Sequence, residues 1–212
     1  MLKYLKFITA GAVVIALALP AAAQNSKFAF AVGGGFTKPL RFADGPLKIG
    51  YNFTASAGVH ASKHVGLSAE FGFNHFGISD NTLAALAVPD GSSRIYSVTL
   101  QPTFHFNPEG RFDFYTTIGG GYYRRTIEFT EPTTAIITVF NPFIGFFPLA
   151  VPAQTVLGSF TQNKGGINGG VGVSVKLSDD SATRIFAETR YHHIFTSSRD
   201  TNYMPVTFGL RW

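Results

Sequence analysis

Val65-Gly66-Leu67-Ser68-Ala69-Glu70-Phe71-Gly72-Phe73-Asn74-His75-Phe76-Gly77 is the stretch that decides the fold. Leu67, Ala69, Phe71 and Phe73 fall on one side of an extended chain, and Gly66, Ser68, Glu70, Gly72 and Asn74 fall on the other. Side chains of a strand alternate between faces, so this period of two predicts a strand with one apolar and one polar side. Reading outward, Ser93–Phe106 sets Val98, Leu100, Pro102, Phe104 and Phe106 against Ser97, Thr99, Gln101, Thr103 and His105. Asn168–Leu177 sets Val171, Val173, Val175 and Leu177 against Gly170, Gly172, Ser174 and Lys176. In Arg184–His193 and Tyr203–Trp212 the same alternation returns.

Three less regular segments, Lys27–Phe36, Leu47–His60 and Phe112–Phe129, complete a set of eight. Their lengths suit strands that cross a bilayer at a tilt, which takes about 9–11 residues, rather than globular strands of about 5–6. The connections also alternate. Ala61–His64, Asn107–Arg111 and Ser178–Thr183 are short, whereas Thr37–Pro46, Ile78–Gly91, Thr130–Thr161 and Thr196–Asn202 are longer. Short turns at one end and long loops at the other are the pattern of membrane barrels. The expected fold is all-β, an eight-stranded antiparallel up-and-down transmembrane β-barrel.

The chain begins with Lys3 and Lys6, then an apolar run from Phe7 to Leu19, then Pro20 and Ala21-Ala22-Ala23. That order predicts a secretory signal peptide over residues 1–23, cleaved near Ala23–Gln24, with residues 24–212 forming the barrel domain. The apolar run is too short for a spanning helix of roughly 20 residues. The whole chain carries +5, and loss of the two leader lysines leaves +3, too little to argue for nucleic acid. It holds 0 cysteines, which removes disulfides and thiolate metal sites from consideration.

Alternation also fits a soluble, lipocalin-like barrel with its apolar face inside. Three features place that face outside. The polar face is rich in Gly, Ser and Thr with a few opposite charges, which suits an interior only wide enough for side chains. Aromatic residues gather near strand ends: Phe104, Phe106, Phe112 and Phe114 at one, Tyr51, Phe71, Phe73, Tyr122 and Tyr191 toward the other. The chain also ends on alternating apolar residues and an aromatic, Trp212.

The segment Tyr203-Met204-Pro205-Val206-Thr207-Phe208-Gly209-Leu210-Arg211-Trp212 resembles the terminal β-signal of outer-membrane proteins. Ala187-Glu188-Thr189-Arg190-Tyr191 and Gly169-Gly170-Val171-Gly172-Val173 resemble penultimate strands of the small outer-membrane β-barrel family, which includes the OmpA transmembrane domain, OmpX and OmpW. The resemblance spans the mature chain. It implies that Met204, Val206, Phe208, Leu210 and Trp212 form the β-signal read by the barrel-assembly machinery. It also implies a bacterial outer-membrane location with outer-membrane lipid and lipopolysaccharide as surroundings. Both mature termini would be periplasmic and the protein a monomer.

Glu70, Glu188, Arg190 and Arg211 are expected in the lumen as a charge network, because an unpaired charge in so narrow a space is costly. Lys176, Asp113, Gln101 and Tyr115 would extend it. The same residues could line a narrow path for small or hydrophobic solutes, the alternative function. His75 and the pair His192-His193 read as a solvated outer rim, since adjacent strand residues point to opposite faces and do not converge on a metal. No metal or other cofactor is expected. A lipid A-modifying enzyme would need an oriented His–Ser pair; His193 with Ser197 and Ser198 lacks an outward acid, so no enzyme is expected. Gly33-Gly34-Gly35 and Gly119-Gly120-Gly121 lack the strand-to-helix context of a phosphate loop and read as relief of crowding. Thr130–Thr161 is unusually apolar for an outer loop. It reads either as a hairpin extension of the fifth and sixth strands, turning at Asn141-Pro142 or Gly145, or as an interaction patch, and the two are compatible. The expected function is structural or surface-interactive, carried by the outer loops.

Overall fold

A computed structural model describes residues 28–40, 47–178, 181–196 and 200–212. The expected leader, residues 1–23, lies outside them. Eight strands close into one antiparallel barrel in chain order: β1 (Phe28–Pro39), β2 (Gly50–His60), β3 (Val65–Gly77), β4 (Asp90–His105), β5 (Phe112–Asn141), β6 (Gly145–Lys176), β7 (Arg184–Ile194) and β8 (Thr201–Arg211). Closure runs through β1 and β8, from Ala31 opposite Arg211 to Pro39 opposite Tyr203. It leaves no unpaired edge around the wall, as a backbone in hydrocarbon requires. One short helix, α1 (Asp80–Leu86), stands in the expected Ile78–Gly91 loop; it buries Leu83 and ends at Ala87 in the left-handed region.

The faces fall as the alternation requires. Leu67, Phe71, Val98, Leu100, Phe114, Val171 and Phe208 are exposed, while Glu70, Thr99, Gln101, Asp113, Thr117, Ser174 and Glu188 are buried. Apolar side chains therefore form an outer belt, and polar ones fill the lumen. Glycines make room for the few large inward rings. Gly172 lies opposite Tyr115, and a Cβ on Gly172 would sit 2.3 Å from that ring.

The outer parts of β5 and β6 take the hairpin-extension alternative of the sequence reading. Thr130–Thr161 is not a loop: β5 and β6 run in continuous register to Asn141 opposite Gly145, with one irregularity at Phe129/Thr130. The local signals are plain. Thr133–Phe140 is rich in β-branched residues. Asn141 Oδ1 accepts a hydrogen bond from the Phe143 backbone N–H at 2.9 Å, and Gly145 takes φ +79° to finish the turn. Alternation is invisible in sequence here because neither face carries charge.

The candidate functional site: a packed lumen and an apolar hairpin

At mid-barrel the structure brings three of the four expected charges together. Arg190 Nη1 donates to Glu70 Oε1 at 2.5 Å and Nη2 to Oε2 at 2.8 Å, while its Nε faces Glu188. Strands β3 and β7 position them: Glu70 is opposite Thr99 of β4, and Glu188 and Arg190 are both inward on β7. Beside the triad the remaining void is about 10 Å³, room for about one water. Gln101, buried below, donates to Thr99 Oγ1 at 2.9 Å and accepts from Thr117 Oγ1 at 3.2 Å.

Arg211 is not part of that network. Its guanidinium lies 4.1 Å from the Tyr115 ring centroid and 5.2 Å from that of Phe186, a cation–π arrangement nearer the short-turn end. Inward residues two apart on a strand are separated by about 7 Å, so a residue at the end of β8 sits too far down to reach Glu188. Lys176 likewise leaves the lumen path and donates to the Glu109 carbonyl at 2.9 Å. Asp113 is buried against His105, Oδ2 to Nδ1 at 2.5 Å.

A second layer lies above the triad. Phe76, Ile95, Tyr123, Ile194 and Tyr203 form a buried cluster. His192, read from sequence as part of a solvated rim, is buried here. It stacks on Tyr203 at 4.6 Å between centroids, with its Nδ1 3.1 Å from Tyr123 Oη. An aromatic layer was not foreseen, because its members come from five strands and are single inward residues in otherwise ordinary alternation. His193 does face away from it, with Nδ1 2.7 Å from Asn202 Oδ1 and Nε2 3.9 Å from Asp200 Oδ2. An acid does therefore stand near His193, contrary to the sequence reading; Ser197 and Ser198 lie outside the described residues.

In β8, Phe208 and Leu210 are exposed on the outer belt and Met204 and Val206 are half-buried. Trp212 departs from the expected outward alternation: it is 8% exposed and lines the cavity at the short-turn end. It lies one residue past the end of β8, where its backbone pairs with Phe30 through two hydrogen bonds.

At the other end stands the hairpin. β4 accompanies β5 only to Thr130, and β6 meets β7 only from Gly166. Glu131–Asn141 and its partners therefore form a two-stranded ribbon reaching roughly 35–40 Å past the wall at about 3.4 Å per residue. Residues 132–163 contain no Asp, Glu, Lys, Arg or His. Phe143 is 94% exposed at the tip, with Ile136, Phe140, Ile144 and Phe146 exposed beside it. Pro132, Pro148 and Pro152 stud both edges and offer no N–H to a further strand.

Residues 9–212 match the family model described as "Outer membrane protein beta-barrel domain". Among solved structures, the chain is similar to Neisserial surface protein A (NspA), with a TM-score of 0.56 at 14% identity, covering 88% of this chain and 96% of that one. It is also similar to a major outer membrane protein from Thermus thermophilus, with a TM-score of 0.53 at 11% identity, covering 87% and 98%. No curated protein matches. At these identities the structural likeness speaks for the fold, and the family match spans nearly the whole sequence. With its apolar belt outside and its polar lumen filled, the chain belongs to the outer-membrane β-barrel domain family.

Proposed function

We propose that this outer-membrane protein is a non-enzymatic anchor that displays the β5–β6 hairpin as an apolar docking surface. The observation that carries this reading is a ribbon, Glu131–Asn141 paired with Gly145–Thr155, that bears no charge from Pro132 to Thr155 and is exposed on both faces. An isolated two-stranded ribbon is marginal in water, and exposed apolar patches of this extent mark interaction sites. The absence of cations argues against lipopolysaccharide phosphates as its target. Immersion in lipid would leave its edge backbone groups without partners. Its occupant is thus an apolar surface of another protein, met face-on because the prolines blunt the edges. In this reading residues 1–23 are removed on export and the short turns face the periplasm. β8 guides insertion by the assembly machinery, and the barrel sits in lipid and lipopolysaccharide as a monomer.

The test replaces Pro132–Gln154 with an Asn-Gly turn joining Glu131 to Thr155, which are opposite each other in the ladder. Cells displaying the full chain should partition into hexadecane and adhere to octyl-coated beads. Cells displaying the shortened barrel should not, although both proteins show the same mobility shift on unboiled gels. Equal partition would remove the reading.

A further inference from the structure

Arg184, the first residue of β7, and Arg211, the last of β8, are direct partners across the ladder and both face inward. Like charges placed directly opposite repel. Among the described residues neither guanidinium has an ion pair. Among the described residues the nearby side-chain acids are committed elsewhere: Asp113 to His105 and the Asn107 backbone N–H, and Glu109 to Lys63. The two arginines border a cavity of about 150 Å³, also lined by His60, Lys63, Trp212 and the His105–Asp113 pair.

The cavity is built rather than incidental. Arg184 is 9% exposed; its Nη2 donates to the Pro108 carbonyl at 2.5 Å and the Gly110 carbonyl at 3.0 Å, while its Nη1 is buried with no partner. Trp212 is 8% exposed, and its indole N–H is likewise buried and unpartnered. The Arg211 guanidinium lies over the Tyr115 and Phe186 rings. Arg184 Nη1 and the indole N–H are thus spare donors, and the Arg211 guanidinium borders the same cavity. A planar guanidinium fork suits a phosphate oxygen pair.

We propose that this short-turn mouth of the lumen binds a tetrahedral oxyanion, a phosphate either free or carried as a monoester on a small molecule. The anion bridges Arg184 and Arg211 and receives the Trp212 N–H. It neutralises the facing like charges, so its binding also stabilises the junction of β7 and β8. The site is independent of the hairpin and stands or falls without it.

The chain contains 1 tryptophan, so Trp212 reports on the cavity without labelling. The full chain, folded in non-ionic detergent, is titrated with inorganic phosphate, with glycerol 3-phosphate and with chloride at matched ionic strength. Tryptophan emission and isothermal calorimetry are read together. Phosphate should give a saturable change that chloride does not, and should raise the thermal unfolding midpoint. Tighter binding of glycerol 3-phosphate assigns the site to a carried phosphate, and tighter binding of inorganic phosphate to the free anion. Arg184→Gln and Arg211→Gln should each weaken binding at least about tenfold, the scale of one lost charge-assisted hydrogen bond. The Lys replacements, which keep charge but lose the fork, should fall between. The proposal is overturned if neither readout saturates with phosphate in the wild-type chain. It is equally overturned if binding persists in a folded Arg184→Gln/Arg211→Gln double variant.

Discussion

Arg190 holds the Glu70 carboxylate with both terminal nitrogens, at 2.5 and 2.8 Å, across a lumen that separates β7 from β3. The two residues lie 120 positions apart, and Glu188 closes the group on the other side of the guanidinium. Removing one partner of a buried ion group leaves a charge without compensation, at about 3–5 kcal/mol, whereas replacing all members by apolar groups of similar size is far less costly. Arg190→Met should therefore destabilise the refolded barrel by that amount, read from its urea unfolding. The triple variant Glu70→Leu/Glu188→Leu/Arg190→Met should recover most of it. A triple variant less stable than the single one would contradict the account.

Two layers close the lumen, one ionic and one aromatic. The triad leaves about 10 Å³ beside it, and Phe76, Ile95, Tyr123, Ile194 and Tyr203 pack above. Recordings in planar bilayers should show no steady conductance from the wild-type protein, and none from Arg190→Ala alone, because the aromatic layer remains. Conductance should appear only when Tyr123→Ala and Tyr203→Ala are added. Discrete channels from the wild-type chain would revive the solute-path alternative.

Leu100 and Gln101 are neighbours on β4 with opposite fates, 60% and 1% exposed. If Leu100 meets hydrocarbon, Leu100→Arg should cost about 2–4 kcal/mol in lipid vesicles, falling toward zero for substitutions nearer the strand ends. A depth-independent cost, read from urea unfolding in vesicles across a series of such sites, would mean that the outer belt does not contact lipid.

Gly172 faces the Tyr115 ring so closely that a side chain there displaces it; the ring carbon Cζ and the hydroxyl oxygen lie 2.3 and 2.4 Å from a Cβ position. Gly172→Val should destabilise by about 1–3 kcal/mol through overpacking. Adding Tyr115→Leu should relieve the strain, whereas Tyr115→Leu alone should destabilise by opening a cavity. A double-variant cycle on refolded protein measures this coupling, and simple additivity of the two would refute it.

The period of two in segments such as Val65–Gly77 and Asn168–Leu177 makes strand number, order and facing legible in the sequence. In a closed barrel, alternation of neighbours along one strand is the same thing as alternation of lipid and lumen, so local chemistry carries the global answer. That is why Glu70, Glu188 and Arg190 could be placed inside from sequence. What the alternation does not carry is the depth of a residue along the barrel, and with it many of its partners across the lumen. Arg211 was assigned to the same network because its face is right, but its height is wrong, and it lies over Tyr115 instead. His192 passed as a rim residue because nothing in β7 announces Tyr123 and Tyr203, which bury it from other strands. For residues 130–161 the sequence left a hairpin extension and an interaction patch both open, because its two faces are alike and no polar side marks one of them as covered. The sequence by itself thus determined which way each strand side chain points, since that is a property of the backbone repeat. Only the tertiary structure decided which of those side chains meet, because register and stagger between distant strands set the height at which each one enters the lumen.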